Sequence, residues 1–324
     1  MGQPLKVLFA GTPQVAVPAL ELLLDDAEHF QVVAVLTRPD SPQGRGRRLT
    51  PSPVKQVALA HGITVLEDNP SNPDSLETIA ATGAQCGAVV AYGRILKEPV
   101  LLALEQGWYN LHFSLLPQWR GAAPVQRAIW AGDTITGASV FRLTKGMDEG
   151  PVLAQSTVTI GEHENAGQLL GRLAKDGGQL LLASLQAVAE GRALPQPQPQ
   201  GAYEVANKIT TDDAHIRFDL PAFAVDRQIR ACTPDPGAWC LLHSDHSDDG
   251  ILLHILSARP VPSESEHPSE QLAAGSIAVS KHAVWVGTKT ESIELLEVKA
   301  AGKRAMKAVD WARGARLSAQ SYCD

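Results

Sequence analysis

The chain has 324 residues, 44% of them hydrophobic and 19% charged, with a formal net charge of −7. That length supports two folded cores, and the acidic balance excludes binding of a polyanion through overall charge. A nucleic-acid partner therefore requires local basic patches. The four cysteines, Cys86, Cys232, Cys240 and Cys323, form no C-x-x-C pair, which points to reduced thiols, a cytoplasmic location and no structural zinc. The N-terminus lacks a signal-peptide layout, and no apolar run is long enough to span a bilayer.

Residues 6–10 read as a buried strand, 15–26 carry helical apolar spacing, and 31–37 read as a second strand. This β-α-β opening predicts a parallel sheet flanked by helices. The first strand is followed by Gly11-Thr12-Pro13, which is not G-x-G-x-x-G, and no Walker A pattern occurs, so a dinucleotide or ATP site is not expected. Residues 38–53 are rich in Pro and Gly and are expected to be irregular, and disordered in the free protein. Arg45, Arg47 and Arg48 concentrate positive charge there, as suits a phosphate clamp, although a solvated surface loop has the same composition. Helices are predicted over 54–61 and 74–82 and near 98–105, and strands over 63–66 and 86–92.

The central stretch is Trp108-Tyr109-Asn110-Leu111-His112-Phe113-Ser114-Leu115-Leu116-Pro117, continuing to Gly121. Its period-two alternation predicts a strand that places Asn110, His112 and Ser114 on one face before Pro117 breaks the ladder. Ligands of open α/β sheets collect at the carboxyl ends of strands. An amide can donate to a developing oxyanion there, and an imidazole can move a proton near neutral pH. An ordinary half-buried strand would show the same alternation. A helix is predicted over 122–131 and strands over 136–143 and 152–160, with Asp148 in the intervening glycine-bounded loop. Residues 165–191 form a long helix with a leucine stripe.

A segment with Pro195-Gln196-Pro197-Gln198-Pro199-Gln200 then reads as a semi-rigid spacer, dividing the chain into 1–190, a linker 191–207, and 208–324. Beyond it, Arg217-Phe218-Asp219 reads as a short strand, 222–231 as a helix, and five short strands follow within 238–298. Short strands separated by turn signals suggest a small, OB-like barrel. Residues 299–316 carry Lys299, Lys303, Arg304, Lys307, Arg313 and Arg316 against only Asp310, a reversal of charge that a solvated helix face would also produce.

These motifs together resemble the methionyl-tRNA formyltransferases nearly end to end. The matching pieces include Gly44-Arg45-Gly46-Arg47-Arg48-Leu49-Thr50-Pro51, Ala91-Tyr92-Gly93-x-Ile95-Leu96 and Asn110-x-His112-x-Ser114-Leu115-Leu116-Pro117. Met147-Asp148-x-Gly150, Pro236-Gly237-Ala238-Trp239 and Ala301-Gly302-Lys303-Arg304-Ala305-Met306 match as well. The resemblance implies an α/β architecture: a Rossmann-like formyltransferase N-terminal domain with a smaller C-terminal OB-like β-barrel that helps hold tRNA. It implies transfer of a formyl group from 10-formyltetrahydrofolate to the α-amine of methionyl initiator tRNA, with no metal, by a cytoplasmic monomer. Asn110 would donate to the oxyanion, His112 would assist it and relay protons, and Asp148 would orient His112 and a bound water. Ser114, Leu115, Leu116 and Pro117 with Tyr92, Gly93, Ile95 and Leu96 would form the folate site. Arg45, Arg47 and Arg48 would reach the acceptor stem, and Lys303, Arg304 and Lys307 would hold tRNA from the second domain.

The sequence departs from the family pattern at Glu149 and Pro151, at Phe113 and Gln118, and at Thr233-Pro234-Asp235-Pro236. The alternative is a folate-dependent formyltransferase acting on an amino-sugar nucleotide, which uses the same Asn-x-His-x-Ser element but does not call for two basic patches.

Overall fold

Six of the seven residues of β1 (Leu5–Gly11) are buried, as expected of a strand at the middle of a sheet covered on both faces. The structure is a computed structural model that describes residues 3–43, 46, 48–70, 72, 74–244, 247–261 and 271–324. After β1 come α1 (Val17–Asp25), β2 (Phe30–Leu36), the short strands β3 (Ser41–Gln43) and β4 (Arg48–Thr50), α2 (Pro53–Ala60), β5 (Thr64–Leu66), α3 (Asp74–Ala81) and β6 (Cys86–Val90). Then follow α4 (Glu98–Leu101), β7 (Trp108–His112), β8 (Arg120–Gly121), α5 (Pro124–Ala131), β9 (Ile135–Arg142), β10 (Val152–Thr159) and α6 (Ala166–Ala189).

The main sheet runs β10-β9-β7-β6-β1-β2-β5. The five strands from β5 to β7 are mutually parallel, while β9 and β10 are antiparallel additions on the β7 side. This is the parallel sheet that the β-α-β opening predicts, in the Rossmann-like form that the family resemblance implies. Local chemistry sets the helix limits. Ser52 caps α2 by accepting from the Lys55 amide at 3.1 Å, and Pro53 occupies the first turn, where a missing N–H costs nothing. Asn165 and Gln168 exchange side-chain-to-backbone bonds of 2.9 and 3.0 Å at the start of α6. The leucine stripe of α6 is buried at Leu169, Leu173, Leu181 and Leu185.

Residues 38–53 differ from expectation. Ser41 pairs with Thr50, Pro42 with Leu49 and Gln43 with Arg48, so the ends of the segment form a short antiparallel ladder. Pro42 is compatible with this because a two-stranded ribbon leaves one edge of each strand unpaired. The expected clamp residues Arg45 and Arg47 lie outside the described residues; Arg48 is exposed on β4.

The remaining elements are β11 (Val205–Ala206), α7 (Ala222–Cys232), β12 (Trp239–Ser244), β13 (Ser247–Pro260), β14 (Ile277–Val279), β15 (Val284–Val286), β16 (Ile293–Ala300), β17 (Met306–Lys307), α8 (Ala308–Gly314) and β18 (Tyr322–Cys323). The antiparallel order β14-β15-β16-β13-β12-β18 is nearly closed, because a bridge between Ser276 and Tyr322 brings its two ends together. Arg217 to Asp219 do not form the expected strand. Leu220 N instead donates to the Arg217 carbonyl at 3.1 Å in a turn, and the Arg217 amide is taken by Gln228 Oε1 at 3.0 Å.

The chain divides into two compact units that are not contiguous in sequence. One comprises Met1–Gly121, Ile135–Thr159 and Leu170–Ala206; the other comprises Ala122–Thr134, Ile160–Leu169 and Asn207–Asp324. Residues 191–206 thus belong to the first unit. The helix α5 belongs to the second, where Ala123 and Trp130 join the core formed by Ile229, Leu253, Val284 and Val298. Among the described residues, no helix is long and apolar enough to cross a membrane.

Candidate active site

The strand β7 carries the predicted alternation into the centre of the sheet. It pairs with β6 through Val89↔Asn110 and with β9 through Asn110↔Phe141 and His112↔Ser139. Asn110 and His112, two residues apart, project to the same face. The neighbouring strand makes room for this arrangement at Gly87, where a Cβ would stand 2.1 Å from the Trp108 ring.

His112 is buried, at 6% exposure, with two fixed partners. Its Nε2 is 2.8 Å from the Trp119 carbonyl. A carbonyl only accepts, so Nε2 carries the hydrogen and Nδ1 of the neutral ring holds the lone pair. Nδ1 lies 3.8 Å from Asp148 Oδ2. Burial pushes the imidazole pKa below its ordinary value of 6.5, while the Asp148 charge and the Trp119 carbonyl oppose that shift. The ring is therefore a neutral base at pH 7, with a carboxylate positioned to receive its cation.

Asp148 is held in turn by the Gly121 amide, which donates to Oδ2 at 2.8 Å. Both of His112's partners have left-handed backbones: Trp119 has φ 60° and Asp148 φ 53°. Such conformations cost about 1–3 kcal/mol each in non-glycine residues and persist only where neighbours fix them.

The loop after β7 is fixed by a polar network. Ser114 Oγ donates to the Gln118 carbonyl at 2.6 Å, and Ser139 Oγ donates to the Ser114 carbonyl at 2.6 Å. Ser139 Oγ also accepts from the Leu116 amide at 3.0 Å and from Gln155 Nε2 at 2.8 Å, while Gln155 Nε2 donates to the Leu116 carbonyl at 3.0 Å. Leu115 and Pro117 remain partly exposed and Leu116 is buried. Ser139 and Gln155 carry no motif of their own. The only signal pointing to them is a hydroxyl and an amide on strands that neighbour β7.

Of the residues after β6, Tyr92 and Leu96 join an apolar core with Leu8, Val89 and Trp108, whereas Gly93 is exposed and Ile95 is 81% exposed. The Tyr92 hydroxyl is pushed up by burial, with the Arg94 guanidinium offsetting that shift. Among the described residues, Tyr92 Oη and Arg94 Nη1, both buried, have no well-formed hydrogen bond beyond this interaction between the two side chains. Lys303 and Arg304 are exposed in the turn between β16 and β17, which pair through Glu297↔Lys307 and Val298↔Met306. This basic cluster is the tip of a hairpin rather than a helix face, because α8 begins only at Ala308. Among the described residues, no three His, Cys, Asp or Glu side chains are grouped to hold a metal ion.

The formyl transferase family model matches residues 5–185, and the formyl transferase C-terminal domain model matches residues 208–316. A relative from Bifidobacterium adolescentis named methionyl-tRNA formyltransferase is 63% identical over 320 residues, covering 99% of this chain and 100% of the relative. The chain belongs to the methionyl-tRNA formyltransferase family. Another relative of that name, from Mycobacterium avium, is 47% identical over 97% of this chain and 98% of its own length. Among solved structures, a sugar 3N-formyltransferase aligns at a TM-score of 0.62 and 17% identity, covering 94% of this chain and 100% of that one. An N-formyltransferase from Helicobacter canadensis, in complex with folinic acid and dTDP-3-aminofucose, aligns at 0.63 and 18%, covering 90% and 98%. At these identities the two structures share the fold with this chain. Asn110, His112 and Asp148 fall in the formyl transferase match, and Lys303, Arg304 and Lys307 fall in the match to the formyl transferase C-terminal domain. Residues 186–207 lie between the two.

Proposed function

We propose that the chain transfers the formyl group of 10-formyltetrahydrofolate to the α-amino group of methionyl initiator tRNA, in the cytoplasm. The observation that carries this reading is the His112–Asp148 pair at the carboxyl end of β7, on the strand that also bears Asn110. It occurs in a chain 63% identical over nearly its full length to a relative of that name.

The segment after β6 suits a folate, because Tyr92 Oη and Arg94 Nη1, two buried polar atoms, have among the described residues no well-formed partner beyond each other's side chains and so can take up further hydrogen bonds from a polar heterocycle. Tyr92, Gly93, Ile95 and Leu96, with Ser114 to Pro117, would hold it. When bound, the folate supplies the formyl group as an activated amide. The Asn110 amide donates to the formyl oxygen as charge develops on it, an interaction worth about 10²–10³ in rate for one donor. His112 Nδ1 accepts the proton released by the α-amine and returns it to the departing nitrogen. Asp148 stabilises the imidazolium in the interval and orients a water beside it.

In the second domain, proposed as 208–324 after a catalytic domain of 1–190, Lys303, Arg304 and Lys307 would contact tRNA phosphates. Arg45, Arg47 and Arg48 would engage the acceptor stem. The test follows formyl transfer from 10-formyltetrahydrofolate to charged initiator Met-tRNA and, separately, to an amino-sugar nucleotide. Wild type should formylate the tRNA, and Asn110→Ala should lose about 10²–10³ in kcat. Transfer to the sugar alone would overturn the tRNA reading and favour the alternative substrate.

A further inference from the structure

Residues 195–200 alternate Pro and Gln three times. Gln196 and Gln200 are exposed, but Gln198 is partly buried and makes four side-chain hydrogen bonds. Its Nε2 donates to the Asp148 carbonyl at 2.7 Å and to the Gly150 carbonyl at 2.8 Å. Its Oε1 accepts from Arg120 Nε at 3.0 Å and Arg120 Nη2 at 2.6 Å. The amide therefore clasps two loops, one holding Asp148 and the other following Trp119, and these loops supply His112's two partners.

The flanking chain runs over the same loops. Gln196 and Val152 exchange backbone bonds of 2.8 Å in each direction. Trp119 N donates to the Glu204 carbonyl at 3.0 Å, and Val205 and Ala206 pair in parallel with Arg120 and Gly121. Gln118, one of the departures from the family pattern, accepts from the Glu204 amide at 3.3 Å. Pro197 and Pro199 restrict the backbone on either side of Gln198, so little freedom remains to be lost when its side chain docks. Trp119 and Asp148 occupy left-handed conformations that need external restraint, and the strap bonds both of them.

We propose that Gln198 is a positioning residue that pins the Asp148 loop to the Trp119–Gly121 loop and so holds the carboxylate beside His112 Nδ1. The inference builds on the proposed catalytic roles of His112 and Asp148, and it assigns Gln198, the Gln196 backbone and residues 204–206 to the active-site scaffold although they lie outside both family matches.

The test compares the full-length wild type, Gln198→Ala, Gln198→Glu and Gln200→Ala. The near-isosteric Gln198→Glu keeps the acceptor for Arg120 but sets a carboxylate against two carbonyls. Formyl transfer by Gln198→Ala and Gln198→Glu should fall about 10- to 100-fold in kcat, with KM for both substrates changed less than about twofold, because misplacement rather than binding is affected. Gln200→Ala should match wild type. In parallel, the His112 imidazole is titrated by NMR in the unliganded proteins, a readout that needs no substrate. Its midpoint should drop in the charge-neutral Gln198→Ala as the Asp148 charge recedes, while the thermal unfolding midpoint confirms folding of both variants. A folded Gln198→Ala with wild-type kcat and an unmoved His112 midpoint would overturn the proposal, and so would a folded Gln198→Glu with wild-type kcat, since only the Arg120 clasp would then matter. A moved midpoint in a protein whose wild type does not formylate Met-tRNA would support the latch while sinking the proposed substrate.

Discussion

Asp148 Oδ2 faces the lone-pair nitrogen of His112 across 3.8 Å, because the opposite ring nitrogen is committed to the Trp119 carbonyl. The carboxylate makes no hydrogen bond to the neutral ring and contributes fully only once Nδ1 is protonated. Asp148→Asn should therefore leave substrate affinities near wild type and reduce kcat by about 10²–10⁴, the range for a positioned proton-transfer group. Removing the negative charge also removes one of the two influences that raise the His112 pKa. The acid limb of the kcat–pH profile should accordingly move to lower pH in the variant. An unchanged limb would mean that His112 does not control it.

The same imidazole links pH to stability. Its folded pKa is lowered from 6.5, chiefly by burial, so between the two values the unfolded chain binds more protons than the folded one. Its contribution is complete above about 6.5 and is lost as pH falls towards the folded value. His29 works the other way: its hydrogen bond to Asp26 raises its pKa, so its contribution is present below 6.5 and fades as pH rises through the folded pKa. Denaturant unfolding of wild type and His112→Gln at pH 5 to 8 separates the two. The wild type should lose stability relative to the variant on acidification below about pH 6.5, and parallel curves would refute the burial argument.

Much of this arrangement was legible in the sequence. The β7 alternation was readable because side chains repeat every second residue, and Asn110 and His112 occupy the same strand face. Asp148 stood out because glycines bound its loop. Gln198 did not, since Pro-Gln repeats look alike one residue at a time and only tertiary packing distinguishes Gln198 from Gln196 and Gln200. The pairing of Ser41 to Gln43 with Arg48 to Thr50 was also hidden, because two three-residue strands carry too little periodicity to rise above their Pro and Gly content. The sequence placed the basic turn at Lys303 within a charge run but not at a hairpin tip. Register between β16 and β17 depends on packing that charge counting does not contain.

Gly150 tests how tightly the Asp148 loop is packed. A Cβ there would lie 1.7 Å from the Arg142 carbonyl, a backbone atom that cannot swing aside as a flexible side chain could. Gly150→Ala should shift the loop and break the bond between its carbonyl and Gln198. The expected cost is about 1–3 kcal/mol in stability, as for other overpacked sites, with kcat reduced alongside. Equilibrium denaturation and single-turnover formylation measure the two effects. A variant as stable and as fast as wild type would show that the loop accommodates the methyl group.

Lys303 and Arg304 are exposed at the turn that joins β16 to β17, where a phosphate backbone can approach without displacing core side chains. If each meets one tRNA phosphate, their contribution depends on the counterions released on binding. Every phosphate left without its cation should make the slope of log affinity against log salt shallower by about 0.7–0.9. The double variant Lys303→Gln with Arg304→Gln should then weaken tRNA binding at low salt and flatten the slope by about 1.4–1.8. Both residues belong to the second compact unit, whereas His112 and Asp148 belong to the first. The rate constant kcat at saturating tRNA should therefore hold, and the weakening should appear in KM. Equilibrium binding at low and raised salt provides the slope, and steady-state kinetics provide the split. An unchanged slope would remove these two cations from the tRNA interface, and a fall in kcat at unchanged KM would place them in a different role.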